Sequence, residues 1–171
     1  NQQKSLMVNN MKHLIILAVI LLSATIASAQ EGRNIYNKYS GGEGVTAVYI
    51  SPSMFKLIGK LPDLEIETDG GPMDIAPLIS SFKGFYMLDI SNPSVITEIN
   101  KEVNVMTSKG RYDLLMEVKD EGDNVQIYTS GDEKTIESFV FIASDGHEVQ
   151  FICIDGKINR TDLEALIASA M

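Results

Sequence analysis

The chain has 171 residues, of which 44% are hydrophobic, and a formal net charge of −9 at pH 7. An acidic protein repels nucleic-acid phosphates and anionic lipid headgroups, so this charge disfavours both as partners. The single cysteine, Cys153, excludes an internal disulfide and any zinc site built on paired cysteines.

The N-terminal residues predict a signal peptide that is removed on export. Lys12 precedes an unbroken apolar run over residues 14–22, and Ala27-Ser28-Ala29 offers the small side chains that signal peptidase requires. The run is shorter than the about 20 apolar residues that cross a bilayer, so we expect no stable membrane anchor after cleavage. Cleavage between Ala29 and Gln30 then gives a periplasmic or secreted protein, because no cysteine follows the run to form a lipobox.

Residues 1–29 are set aside as upstream sequence and leader, and residues 30–171 are expected to form a single α+β domain. Within it, residues 30–44 predict a short N-terminal helix and a glycine-rich hinge. The next elements follow from strand-forming runs, helix caps and turn residues. They are a strand over 45–50, a helix over 52–60, a loop over 62–72, a helix over 75–83 and a strand over 85–90.

The C-terminal half carries the clearest periodicities. Apolar residues three and four apart, from Val95 to Met106, predict a helix over 93–109 that lays one face on a sheet. From residue 112 the period changes to two, which predicts a four-stranded antiparallel meander and then a helix over 161–170. The meander strands are predicted at 112–118, 125–130, 136–143 and 148–154. The predicted fold is α+β, a mainly antiparallel sheet of about six strands with helices 52–60, 93–109 and 161–170 packed on one face.

Paired residues in a hairpin share a face, so the turn lengths predict which side chains point to the core. The predicted pairs are Ile142 with Val149 across a two-residue Asp145-Gly146 turn, Val125 with Val140 across the loop 131–134, and Met116 with Ile127 across the loop 119–124. These registers agree on one apolar core face. It holds Leu114, Met116, Val118, Val125, Ile127, Val140, Ile142, Val149, Phe151 and Cys153.

The opposite face of the predicted meander is less polar than a sheet in water requires. Its residues are Leu115, Tyr128, Phe139, Phe141, Ile152 and Ile154, beside Glu117, Gln126, Glu137 and Gln150. Two explanations stay open. Either the N-terminal helix or the loop 62–72 covers this face, or the face binds a protein partner or a second copy. In the second case the predicted partner-binding residues are Tyr128, Phe139, Phe141 and Ile152.

No recognised catalytic or metal-binding motif is present. His147 is the only histidine after the leader, and six residues of strand separate it from Cys153 by about 20 Å, too far for a thiol and its base. We therefore predict an inert core thiol and name no catalytic residue, metal ligand or cofactor. The acidic loop around Asp120 and Asp123 leaves calcium binding open, and enzymatic activity is disfavoured without being excluded.

Three segments resemble a known family. They are Val45-Thr46-Ala47-Val48-Tyr49-Ile50-Ser51-Pro52-Ser53-Met54-Phe55, Leu114-Leu115-Met116-Glu117-Val118 and Val125-Gln126-Ile127-Tyr128. Each is similar to its counterpart in an exported bacterial family filed as a domain of unknown function, in which a V-x-x-V-Y-I-S strand follows a signal peptide. The resemblance covers nearly all of residues 30–171. It implies localisation in a Gram-negative envelope and supplies no catalytic residue.

The sequence therefore favours a non-enzymatic periplasmic protein that uses the second sheet face to dock a protein partner or itself. The alternative is a small envelope hydrolase with a pair of carboxylates near the loops 62–74 and 119–124.

Overall fold

Six strands form one fully antiparallel sheet, with helices against it. The computed structural model describes residues 28–61, 65–68 and 71–169. Nearly all of the predicted signal peptide, and parts of the predicted loop 62–72, lie outside these residues. The predicted α+β class with a six-stranded antiparallel sheet is confirmed.

The described residues form five helices and eight strands. The helices are α1 (Ser28–Tyr39), α2 (Pro52–Ile58), α3 (Ala76–Ser81), α4 (Pro93–Ser108) and α5 (Arg160–Ser169). The strands are β1 (Val45–Ile50), β2 (Glu65–Thr68), β3 (Gly71–Asp74), β4 (Phe82–Ile90), β5 (Asp113–Asp120), β6 (Asp123–Gly131), β7 (Thr135–Ser144) and β8 (Val149–Asn159).

The strand order in the main sheet is β1-β4-β8-β7-β6-β5. The last four strands are the predicted meander, and β4 joins it to β1 by pairing with both β1 and β8. A separate hairpin of β2 and β3 occupies part of the segment predicted as a loop over 62–72. The two strands of this hairpin pair with each other in a sheet of their own, although acids, glycines and prolines are typical of loops.

Local caps explain where the helices begin. The Asn92 side chain accepts a hydrogen bond from the Ser94 amide at 3.0 Å, and Pro93 is the first residue of α4. The Ser51 side chain accepts one from the Met54 amide at 3.3 Å at the start of α2. Both helices begin where the sequence predicts and end one or two residues earlier than predicted.

Helices α1 and α4 cover one side of the sheet, here called the core face. Ile99, Val103 and Met106 of α4 are buried there, and Ile35 and Tyr39 of α1 join the same cluster. Helix α2, predicted on this face, instead packs against α3 where β4 begins. The rings of Phe55 and Phe82 meet edge to face there at 5.3 Å.

The N-terminal helix lies on the core face, so the suggestion that it covers the second face is wrong. Gly32 lets α1 approach β8 closely, because a Cβ at that position would lie 2.2 Å from the Cys153 sulfur. Tyr36 fixes the other end of the helix, with its ring 5.5 Å from that of Tyr86. A side chain at residue 32 would hold α1 away from the sheet.

The predicted register between β6 and β7 is wrong by three residues. Val125 pairs with Ala143 instead of Val140, and Ile127 pairs with Phe141. The Asp132 side chain accepts hydrogen bonds from the Lys134 and Thr135 amides, and this turn pairs Gly131 with Ile136, which accounts for two residues of the shift. A bulge between Ile136 and Ser138 of β7 adds the third. An odd shift exchanges the two faces of a strand. Met116, Val118, Val125 and Ile127, predicted in the core, therefore lie on the opposite side.

In each of the other two meander hairpins, the side chains predicted to share a face do so over most of the length. Ile142 pairs with Phe151 instead of Val149, because residues 145–148 form a four-residue loop in which Asp145 accepts hydrogen bonds from two amides. A shift of two leaves each side chain on its face. The predicted pairing of Met116 with Ile127 is confirmed.

The contact beneath α1 predicts the effect of a small substitution. Gly32→Ala is expected to lower the free energy of unfolding by about 1–3 kcal/mol in urea denaturation, although alanine favours helices, because its methyl group overlaps the Cys153 sulfur. Gly41→Ala is the control, since a Cβ there meets no described atom within 4 Å. Adding Cys153→Ala to Gly32→Ala should restore part of the loss. Equal losses in the two glycine variants would contradict this contact.

Candidate interaction surface

The side of the sheet away from α1 and α4, here called the outer face, is apolar and open. Burial alternates along β7, where Ser138, Val140 and Ile142 are buried and the intervening residues are half-buried. Near the sheet edges Val48 is 40% exposed. The apolar residues of the outer face are Val48, Ile50, Phe85, Met87, Met116, Val118, Val125, Ile127, Phe139, Phe141, Ala143, Ile152 and Ile154.

Three of the four predicted partner-binding residues lie together on this face. Phe141 pairs with Ile152, and Phe139 lies two residues along the same strand. Tyr128 pairs with Val140, so it points to the core face, where it is only 9% exposed. The placement of Tyr128 is therefore a correction, and it has the same cause as the register error between β6 and β7.

Sequence reasoning missed the part of the outer face contributed by β5 and β6. Met116 and Val118 are 43% and 49% exposed, and they extend the apolar row of Ile127 and Val125 to the sheet edge. A signal was present in the sequence, because Asp132 within Gly131-Asp132-Glu133-Lys134 is typical of a side-chain-capped turn. That turn accounts for two of the three residues of the register error, and the bulge between Ile136 and Ser138 of β7 adds the one that exchanges the faces.

Edge strand β5 is exposed on both sides. Leu114 and Leu115 are 50% and 52% exposed beside a bulge in the β5–β6 ladder. Lys119 contacts Glu117 at 3.0 Å, and Gln126 donates to Glu117 at 2.7 Å. These contacts hold the pKa of Glu117 below its ordinary value. The bulge and the charges protect this edge from pairing with another strand.

One end of the outer face, here called the acidic end, carries a cluster of carboxylates. A groove of about 280 Å³ there is lined by Asp89, Asp123, Asp145 and Glu148. Backbone amides at the 145–148 turn hold the pKa of Asp145 below its ordinary value. Among the residues that the structure describes, no group of histidine, cysteine or acidic side chains is placed to hold a metal ion.

The opposite end of the sheet, here called the lysine end, has mixed charge. Lys83 and Lys157 belong to the paired segments where β4 and β8 meet, and the Arg160 amide bonds the Lys134 carbonyl at 2.9 Å. Asp132 accepts from the Arg160 guanidinium through its backbone carbonyl. Charge therefore changes along the strand direction, from strongly negative to mixed.

A buried polar cluster lies on the core face beneath α1. The Ser138 hydroxyl is 3.4 Å from the Cys153 sulfur, which lies 3.5 Å from an Asp155 oxygen. Tyr112 also hydrogen-bonds Ser138. Burial raises the pKa of the Asp155 carboxyl to about 6, and it raises the pKa of Cys153 well above its ordinary value. The thiol therefore stays protonated and is a poor nucleophile.

The cluster has the residue types of a catalytic site without access for a substrate. Cys153 is 0% exposed and Asp155 is 4% exposed, with Gly32 of α1 directly above the thiol. The prediction that Cys153 is a core residue is confirmed. The sequence analysis did not single out Asp155 as buried, because it placed the end of β8 at residue 154.

A second concave surface runs between α1 and α4. It encloses about 480 Å³, with Ile35 and Met106 on its floor and alternating lysines and glutamates on its rim. Lys38 and Glu102 form an ion pair across it, and Lys109 contacts Glu31 at 3.2 Å. These two ion pairs join α1 to α4 across the concave surface.

Comparison with known proteins finds a matching family whose description states no function. A family model described as "Domain of unknown function (DUF4252)" matches residues 39–166. No curated protein and no solved structure matches the chain. Among the described helices, none is long and apolar enough to cross a membrane.

The buried carboxyl predicts a pH-dependent stability. The folded pKa of Asp155 is about 6, above the ordinary value of 3.8, so its favourable contribution is complete below about pH 4 and is lost as the pH rises through 6. As the pH rises from 4 to 7, the unfolding free energy of Asp155→Asn is expected to increase by about 3 kcal/mol relative to that of the wild type. Urea denaturation at several pH values measures this difference. Asp120→Asn, on the exposed β5–β6 turn, is the control, and a pH-independent difference for Asp155→Asn would refute the assignment.

Proposed function

The chain belongs to the family described as domain of unknown function DUF4252, whose description names no activity, and we propose its function from the surface that it presents. It is a non-enzymatic binding protein, exported to the periplasm or secreted by a Gram-negative bacterium. Its outer face docks a protein partner or a second copy. The openness of that face is the observation that carries the proposal.

The energetics of the outer face support a docking role. Monomeric proteins rarely expose contiguous apolar patches larger than a few hundred Å². Removing apolar surface from water is favourable by about 25 cal/mol per Å², and the surplus over the cost of association appears as affinity. Phe139, Phe141 and Ile152 lie near its centre, where large side chains contribute most to binding.

The leader sequence and the family resemblance support export. The apolar run over residues 14–22 and the small residues before Gln30 have the order of a signal peptide. The chain's acidic charge and open apolar face suit a protein partner better than nucleic acid.

The alternative, a hydrolase with a carboxylate pair, gains no support from the geometry. Helices α2 and α3, which flank the segment 62–74, pack beside Phe82 at the lysine end of the sheet. The 119–124 turn lies at the acidic end, where Asp123 lines the groove. Seven residues of strand, about 23 Å, separate the two ends, and paired catalytic carboxylates lie about 5–10 Å apart.

Two neighbouring residues test whether the outer face is open. Phe141→Glu is expected to stay folded by circular dichroism, because its side chain points away from the core, and to weaken any self-association in light scattering. Val140→Glu, on the core face, is the matched control and is expected to unfold, because it buries a charge at a position that is 0% exposed. If Phe141→Glu unfolds like Val140→Glu, the outer face is interior to the monomer and the proposal fails.

Processing in a Gram-negative host tests export. Expression from Met11 is expected to give a periplasmic protein whose mass corresponds to residues 30–171. Ala29→Tyr should block this cleavage, because the peptidase requires a small residue there, whereas Ser28→Tyr should be cleaved normally. A full-length protein in the cytoplasm would contradict the proposed localisation.

A further inference from the structure

Resting on the proposed function, we infer that the occupant of the outer face is a second copy of this chain. The two sheets pack face to face, with the acidic end of each over the lysine end of the other. Three features of the described residues lead to this arrangement: the area of the face, the continuity of its apolar surface and its charge gradient.

The area matches what a stable pair requires. Six strands about 4.8 Å apart and seven residues at about 3.3 Å give roughly 650 Å² for the whole face. A pair of copies then buries about 1,300 Å², within the range of specific interfaces. The face is therefore large enough to hold two chains together without a further partner.

The shape of the face fits another sheet. The central apolar residues Phe139, Phe141 and Ile152 are half-buried by their neighbours and lie on two adjacent strands, so they form one continuous apolar surface. Two such faces stack about 10 Å apart with interdigitating side chains, as in a β-sandwich. The helices α1 and α4 of each copy then form the outer layers.

Charge selects the orientation. A twofold axis parallel to the strands would bring the two acidic ends together, with Asp89, Asp123, Asp145 and Glu148 from both copies in one place. A twofold axis in the interface and perpendicular to the strands places each acidic end over Lys83 and Lys157 of the other copy. The second arrangement separates the two carboxylate clusters and places each over an end that also carries lysines, so it lowers the repulsion between the copies.

Association of two copies through the edge strand β5 is less favourable than association through the outer face. The bulge between Leu114 and Met116 interrupts the regular hydrogen-bond ladder of strand β5. Its Lys119 and Glu117 already contact each other. Such features prevent edge-to-edge association, so the outer face is the favoured contact.

Sedimentation velocity on the exported protein tests this inference, with dissociation constants measured over a concentration series. The wild type is expected to form a dimer that Phe141→Glu converts to a folded monomer. Lys83→Glu and Lys157→Glu are each expected to weaken the dimer by about tenfold, because the reversed charge acts in both copies. Lys101→Glu, exposed on α4 in the helix layer, is the matched control and should leave the constant unchanged.

The opposite orientation predicts the reverse response to acid removal. The double variant Asp89→Asn with Asp123→Asn weakens the dimer if acidic ends lie over lysine ends, and strengthens it if acidic ends meet. A strengthened dimer overturns the orientation. A wild type that stays monomeric at its highest soluble concentration, or a dimer that Phe141→Glu does not affect, overturns the second-copy inference. The proposed docking role of the outer face fails on a different result, which is unfolding of the monomer by Phe141→Glu.

Discussion

The fold depends on the close approach of two helices to one side of a six-stranded sheet. Gly32 brings α1 onto β8, and the same helix carries Ile35 and Tyr39 into the cluster formed by α4. Together α1 and α4 bury the side chains that alternate along β4, β7 and β8. The N-terminal helix completes this core, so it cannot also cover the other side of the sheet. The outer face therefore lacks cover from this helix.

Elements whose signals are local were predictable from the sequence. Asn92-Pro93 and Ser51-Pro52 mark helix starts through caps that form within three residues, and the period of two marks the meander strands. The insertion of β4 between β1 and β8 was not predictable, because it depends on contacts between segments far apart in sequence. Local pattern carries no information on which strand becomes the neighbour of another.

The outer face was predicted in part, and its errors have one physical origin. Phe139, Phe141 and Ile152 were placed correctly because β7 and β8 shift by an even number of residues. The turn at Asp132 shifts β6 by two residues and the bulge between Ile136 and Ser138 of β7 adds a third, so the total is odd and Tyr128 moves into the core. Because both faces are apolar, the hydrophobic pattern fits either register equally well. The bulge in β7 between Ile136 and Ser138 decides between them.

The contact between Gly32 and Cys153 joins segments near opposite ends of the described chain, and this affects how the protein folds. Strand β8 lies at the centre of the sheet and is the last strand to be synthesised. Until it is present, β4 and β7 have no common neighbour, and α1 lacks the part of its packing surface that β8 provides beneath Gly32. Contacts so distant in sequence slow folding, because a large loop must close before they form. A ribosome-bound chain that lacks β8 therefore cannot complete the native core, so the sheet closes only after the last strand has been synthesised.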